Sequence, residues 1–230
     1  MILAYHRINP WYKDALTIKH EYFKKQIEYL ISKKFLFIPI NEYIENYKKN
    51  SKKKIIITFD DGFADNFWFA CNILKEFGIN PLIFLIVNYI GTDKIFSRYK
   101  DKEKDRFLNW DEIKEMLKYG VEFGSHTLTH PHLIQITEEE AKKEIFDSKK
   151  IIEDKIGKEI KFFCYPYGEY NEKVVEFVEM AGYKGAVVTP KKNMKIINSK
   201  FTMKRVGIYG HNSFFIFKLK IWKEYLKEKF

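Results

Sequence analysis

A chain of 230 residues with 46% apolar and 17% aromatic content can bury a sizeable core, and its length suits one α/β barrel or two small domains. It has no uncharged apolar run of about eighteen residues, so no membrane-spanning helix is expected. Its two cysteines, Cys71 and Cys164, are too few for a disulfide framework and lack zinc-ribbon spacing. The net charge of +10 invites acidic partners such as phosphates or anionic lipid. Lys and Glu are nevertheless spread along helical stretches rather than clustered, so solvated faces account for the charge and no nucleic-acid partner is expected.

The chain opens Met1-Ile2-Leu3-Ala4-Tyr5-His6-Arg7, without a basic region followed by a long apolar one. No export signal is read there, and a cytoplasmic location is the expectation. Ile2 to Tyr5 reads as a strand, Tyr22 to Leu30 as a helix, Phe35 to Ile38 as a strand and Asn41 to Tyr47 as a helix. Ser51 to Lys54 is a polar connector into the apolar strand Ile55-Ile56-Ile57. A helix over Phe63 to Phe77 ends at Gly78, and Pro81 to Val87 is again strand-like. Trp110 to Lys118 reads as a helix, Val121 to Gly124 as a strand, and Glu138 to Ile156 as a long helix closed by Gly157. Ile160 to Phe163 and Gly185 to Thr189 are strands around a helix at Glu172 to Met180. Met203 to Tyr209 is the last strand and Ser213 to Lys227 the last helix. About seven strands alternating with helices, with no composition break, predict one parallel-strand α/β domain over residues 1–230, a barrel.

Two stretches carry chemistry. In Thr58-Phe59-Asp60-Asp61-Gly62 an apolar strand runs into two carboxylates, which it cannot hold in its interior without partners. They belong at its C-terminal end, where parallel α/β folds collect ligands. A capped turn reads equally well from these residues alone. The second stretch, Gly124-Ser125-His126-Thr127-Leu128-Thr129-His130-Pro131-His132, follows another strand and falls on the same rim. His126 and His130, four apart, share one side if they occupy a helical turn. Two imidazoles with one carboxylate make a three-ligand metal site with open positions, the catalytic type. Surface histidines in a Thr- and Pro-rich loop are the competing reading, and His132 is read as a bystander.

Thr58-Phe59-Asp60-Asp61-Gly62, Ser125-His126-Thr127-Leu128-Thr129-His130-Pro131 and Cys164-Tyr165-Pro166-Tyr167-Gly168 resemble the first three signature motifs of the polysaccharide deacetylases, the NodB-homology proteins of carbohydrate esterase family four. Weaker similarity runs from Ala4-Tyr5-His6-Arg7 to the final helix. The resemblance implies a distorted (β/α) barrel of seven or eight strands. It implies that Asp61, His126 and His130 bind a divalent metal, most often zinc, which polarises an acetamide carbonyl and acidifies a water. Asp60 would then be the general base. A tetrahedral oxyanion would be stabilised by the metal and by backbone N–H groups, for which the Tyr167-Gly168 turn is the candidate. The implied substrate is an N-acetylated glycan or amino sugar, and the products are acetate and a free amine.

The chain also departs from the family pattern. Many members carry an arginine at the position of Cys164 that holds the catalytic aspartate; Arg205 is the candidate replacement here, with a surface arginine as the competing reading. The fourth motif, Asp-x-x-Asp-Trp, is not found, and His211 matches the final motif's general acid poorly. His6 closes the first strand and either lines the site or packs beside it. The last helix mixes aromatics with lysines, so it either closes the barrel or rests on an anionic membrane surface. The alternatives to glycan deacetylation are hydrolysis of another amide or cyclic imide, and a carbohydrate-binding barrel without turnover.

Overall fold

The structure is a computed structural model that describes residues 1–45, 53–93, 106–191, 197 and 199–227. β1 (Ile2–Tyr5), the two-residue β2 (Arg7–Ile8) and β3 (Thr17–Ile18) precede α1 (His20–Ser32). Next come β4 (Leu36–Phe37), α2 (Ile40–Glu45), β5 (Lys54–Phe59), α3 (Cys71–Glu76) and β6 (Leu82–Leu85). α4 (Trp110–Lys118), β7 (Glu122–Ser125), α5 (Glu138–Ile156) and β8 (Phe162–Cys164) continue the alternation. α6 (Glu172–Met180), β9 (Gly185–Val188), β10 (Met203–Gly207) and α7 (Phe214–Lys227) complete it. β10 pairs with β1 and β1 with β5, which closes β1, β5, β6, β7, β8, β9 and β10 into a parallel ring. β4 adds to the start of β5, at Lys54 and Ile55, as one extra strand. The distorted (β/α) barrel expected from the sequence is the fold observed.

Successive strand residues point to opposite faces, and the barrel follows that rule closely. Leu3, Ile57, Ile83, Phe163 and Val188 pack outward beneath the helices, against Phe23, Leu74, Ile145 and Phe177. The alternate positions Ile2, Ile56, Phe84, Phe162, Val187 and Met203 form a separate buried cluster that fills the ring. Two more residues up the same register lie Cys164 above Phe162 and Arg205 above Met203. Thr58 and then Asp60 continue Ile56, and His126 continues Gly124. Residue parity alone therefore delivers these side chains to the C-terminal mouth of the lumen.

Helix ends follow their capping signals. Thr137 and Glu140 form a capping box that starts α5, and Gly157 ends it in the left-handed conformation, φ 68°. Asn109 and Glu112 cap α4 in the same way. α7 buries Phe217 and Ile221 completely in the apolar layer outside the ring, while Phe215 and Leu219 on its other side are exposed. Among the described residues no helix is long and apolar enough to cross a membrane, and Cys71 and Cys164 are both free thiols.

Several boundaries differ from the sequence reading. Phe63 to Phe77 is not one helix: a π-helical turn over Asn66–Ala70 precedes α3. β10 ends at Gly207, not Tyr209. Tyr47 and the start of the Ser51 to Lys54 connector lie outside the described residues, and Lys54 itself opens β5.

Gly124 shows how tightly the lumen is filled. A Cβ there would sit 2.6 Å from ring carbons of Phe84 and 2.8 Å from the Phe162 carbonyl oxygen. Gly124→Ala is expected to destabilise the fold by about 1–3 kcal/mol through overpacking, read as a lower urea midpoint. An unchanged midpoint would show that the ring yields at this level.

Candidate active site and metal centre

The mouth of the barrel holds a cleft of about 270 Å³ whose walls include Asp60, Asp61, His126, His130, Tyr167 and Arg205. The Asp60 backbone N–H donates to the Tyr5 carbonyl at 2.9 Å, so β1 fixes the point where β5 ends. By parity Asp61 should face the helices. Its φ of 72° turns it back, and Gly62 continues the left-handed path at 77°. A Cβ on Gly62 would lie 2.8 Å from Leu85 Cδ2, so glycine is required there by space as well as by conformation.

His126 hangs from β6 through its backbone N–H, which donates to the Leu85 carbonyl at 2.8 Å. Its Nδ1 is 2.7 Å from the Cys164 carbonyl. That oxygen can only accept, so Nδ1 carries the proton and Nε2 presents its lone pair to the cleft. The spacing of His126 and His130 does not work through a helical turn, contrary to the sequence reading. The segment is a loop in which Thr127 and His130 are both left-handed, φ 71° and 63°. Thr127 Oγ1 accepts from the His130 N–H at 2.9 Å. Glu144 of α5 clamps the outer side, accepting from the N–H groups of Leu128 and Thr129 at 2.8 and 2.9 Å. The reversal brings both Nε2 atoms to Asp61 Oδ1, at 3.6 Å for His126 and 3.7 Å for His130.

Those three donor atoms lie within 4.8 Å of one another and all three residues are buried. Ligands at about 2.0–2.1 Å on a tetrahedral zinc stand roughly 3.4 Å apart, so the observed spacings need only a small contraction around an ion. Two imidazoles and a carboxylate fit a divalent cation. Asp60, His126 and Cys164 also fall within that distance of one another. Burial pushes the Cys164 thiol well up, however, and a neutral thiol beside a carboxylate already bound by arginine is a poor ligand.

That arginine is Arg205, which the structure brings into the site. Its Nη1 and Nη2 donate to Asp60 Oδ1 and Oδ2, each at 2.6 Å. Nη1 also donates to Thr58 Oγ1 at 3.1 Å, and Nη2 lies 3.0 Å from Cys164 Sγ. Burial opposes ionisation of Asp60, but the guanidinium outweighs it and holds the carboxyl well below the usual range. His6 Nε2 stands 3.8 Å from Asp60 Oδ2. Its backbone carbonyl is held at 2.9 Å by Asn66, from the π-helical turn.

Tyr167 reaches the cleft from a turn after β8 in which it is left-handed, φ 57°. Its ring stacks on His132, with centroids 3.8 Å apart and planes at 7°. His132 is thus no ligand, but it buttresses Tyr167 and is itself held at 2.7 Å by Glu169, which also pairs with Lys191. The Gly168 N–H is committed to the Tyr165 carbonyl at 3.0 Å, so its contribution is space: a Cβ there would collide with the Thr189 carbonyl. His211 is exposed and outside this cleft, stacked beside Tyr209.

The polysaccharide deacetylase family profile matches residues 47–186. The Bacillus subtilis polysaccharide deacetylase homologue YxkH is 30% identical over 191 residues, which is 82% of this chain and 63% of that protein. The chain belongs to the polysaccharide deacetylase family. It thus spans less than two thirds of the Bacillus relative. It is also 23% identical to the poly-β-1,6-N-acetyl-D-glucosamine N-deacetylase of Staphylococcus epidermidis, over 100% of this chain and 85% of that one. In fold it resembles the deacetylase PplD of Streptococcus pyogenes, solved with acetate. The TM-score is 0.80 at 22% identity, over 95% of this chain and 96% of that one.

In this polysaccharide deacetylase the buried arginine at the mouth comes from β10. Sequence reasoning missed Thr58 as that arginine's third partner and Glu144 as the clamp on the histidine loop. Strand parity would have found Thr58, two before Asp60. Nothing in the sequence pairs Glu144 with a loop fifteen residues earlier.

Two measurements follow from this geometry. Arg205→Met in metal-free protein strands a buried carboxylate and is expected to cost about 3–5 kcal/mol at pH 7. Adding Asp60→Asn should recover part of that loss in a double-mutant cycle, and simple additivity would mean the pair is not coupled. In a zinc competition titration, His126→Ala and His130→Ala should each weaken binding at least about tenfold, the scale seen even for outer-shell losses. His132→Ala should not weaken it, and equal losses in all three would break the assignment of ligands.

Proposed function

We propose that this protein is a metal-dependent hydrolase that removes N-acetyl groups from the amino sugars of an N-acetylated glycan. The observation that carries this is the convergence, in one cleft, of Asp61, His126 and His130 with a second carboxylate, Asp60, kept ionised by Arg205. The names of the relatives support the same substrate class: the Staphylococcus epidermidis protein is a poly-N-acetylglucosamine deacetylase.

Asp61, His126 and His130 would hold the divalent cation, zinc by the character of the donors. Bound there, it would supply Lewis acidity toward the acetyl carbonyl and lower the pKa of a water. The residues of the chain do the rest. Asp60 is the general base, taking a proton from the attacking water at a carboxylate oxygen. Arg205 is a positioning residue: its two parallel hydrogen bonds fix the plane of that carboxylate and keep it charged where burial alone would neutralise it. Because the pair lowers the proton affinity of Asp60, the base suits a proton that is already acidic and returns it readily. When the C–N bond breaks, the leaving nitrogen takes a proton; we assign its delivery to His6 on the cleft wall, which is restored by the proton that Asp60, 3.8 Å away, took from the water. Tyr167, braced by His132, covers the cleft as a substrate-binding ring, and Gly168 lets its turn pack against Thr189.

Acetate release from N-acetylglucosamine oligomers tests the proposal. Metal-loaded protein should release acetate, and a chelated sample should not. Asp60→Asn should lose about 10²–10⁴-fold in rate while keeping its metal, the usual contribution of a positioned base. Bound metal without acetate from any N-acetylated glycan would point to another amide or a cyclic imide. Absence of metal binding would leave a carbohydrate-binding barrel.

A further inference from the structure

Next to the cleft, sharing Tyr209 as a wall, lies a second pocket of about 360 Å³ that none of the proposed chemistry uses. Its sides are Tyr12 from the β2–β3 loop, Tyr22 and Lys19 at the start of α1, and Tyr209 with His211 after β10; Gln26 reaches it from within α1. The rings of Tyr209 and His211 are nearly parallel, 7° apart. Gln26 is only 2% exposed although it lines the pocket. Its carbonyl accepts from the Tyr5 hydroxyl at 3.1 Å, which leaves its amide N–H pair as its remaining polar face.

The dividing ring is held in place before any ligand arrives. Tyr209 lies against Gly207, where a Cβ would meet its hydroxyl oxygen at 2.5 Å. Its N–H donates to Asn212 Oδ1 at 3.1 Å. Lys220 Nζ sits 4.9 Å from the ring centroid and donates to the Gly207 carbonyl and to Asn212 Oδ1, at 2.7 and 2.8 Å. The next residue, Gly210, donates its N–H to the Ala15 carbonyl at 2.9 Å, tying this wall to the β2–β3 loop. A site ordered in this way loses little freedom on binding.

We propose that this pocket is a second sugar subsite, so that the glycan runs from the deacetylation cleft across Tyr209 toward the start of α1. A pyranose presents an apolar C–H face that suits the flat faces of tyrosine and histidine, with a few fixed polar groups for orientation. Gln26 is the buried polar group of that kind. The subsite rests on the proposed glycan deacetylation and makes it more specific: the substrate is a chain several sugars long, entered on one side, and not a free amino sugar.

The test is chain-length dependence, using β-1,4- and β-1,6-linked N-acetylglucosamine oligomers from dimer to hexamer with metal-loaded protein. kcat/KM should rise about tenfold from dimer to tetramer, as expected for roughly one added ring contact, through a fall in KM with kcat unchanged. Tyr22 and His211 are both exposed, so Tyr22→Ala with His211→Ala should fold and flatten that rise. Tyr119→Ala, an exposed tyrosine lining a different pocket, should preserve it. A rise that survives the double substitution, or no rise in the unaltered protein, would overturn the subsite. If no oligomer releases acetate at all, tetramer is titrated into Asp60→Asn protein. Binding weakened by the double substitution still supports the pocket, and unchanged or absent binding rejects it.

Discussion

The bidentate pair between Arg205 and Asp60 is the constraint on which the mouth of this barrel depends. A carboxylate that is 4% exposed is untenable alone, and its partner comes from the far end of the sequence. Closure of the ring makes the meeting possible. β1 lies between β10 and β5, with Ile2 opposite both Arg205 and Ile56, so the guanidinium rises beside the end of β5. The same guanidinium sits over the Phe84 ring, 5.5 Å from its centroid, and caps the apolar filling of the lumen. Cys164 completes the arrangement by being small and uncharged. An arginine at both positions would place two buried cations against one carboxylate.

Around that fixed pair the backbone is strained where the chemistry is proposed. The described residues include six non-glycine positions with positive φ; three of them, Asp61, His130 and Tyr167, line the cleft, and a fourth, Thr127, lies in the loop between its two histidines. Such conformations are uncommon for L-residues and cost of order 1–3 kcal/mol each. Each is held from outside: Asp61 by the Gly62 turn under Leu85, Thr127 and His130 by their mutual hydrogen bond and the Glu144 clamp, Tyr167 by His132 and by the fit of Gly168 against Thr189. The clustering means the site is imposed by its surroundings and not by local preference.

This explains which parts were legible in the sequence. The barrel was legible, because alternation of strands and helices is a long-range pattern that survives errors at every boundary. Asp60, Asp61, His126 and His130 were legible as a group because they follow strands, and parallel strands end on one rim. The mechanism by which the histidines converge was not. A spacing of four suggested a helical turn, whereas two left-handed residues reverse the chain, and Thr127 carries no glycine signal to announce it. β2 and β3 have two residues each, too short for any periodicity. Arg205 was legible as a candidate only; its parity with Met203 fixed the face, but strand order around the ring was needed to fix its partner.

Two aspartates adjacent in sequence end with opposite surroundings, and the backbone alone separates them. Asp60 stays in strand register, faces the lumen and meets a cation built into the chain. Asp61, one residue on, would have faced the helix layer; the left-handed turn returns it to the cleft, where it meets two imidazoles. Side by side with equivalent partners, each carboxylate would raise the proton affinity of the other. Instead the positive partner of one is a fixed guanidinium, and the partners of the other are the donors that fit an exchangeable cation. Gly62 is what permits this, since a side chain there would meet Leu85. The Asp-Asp-Gly sequence is therefore read most economically as a device that places two like charges in unlike sites one residue apart.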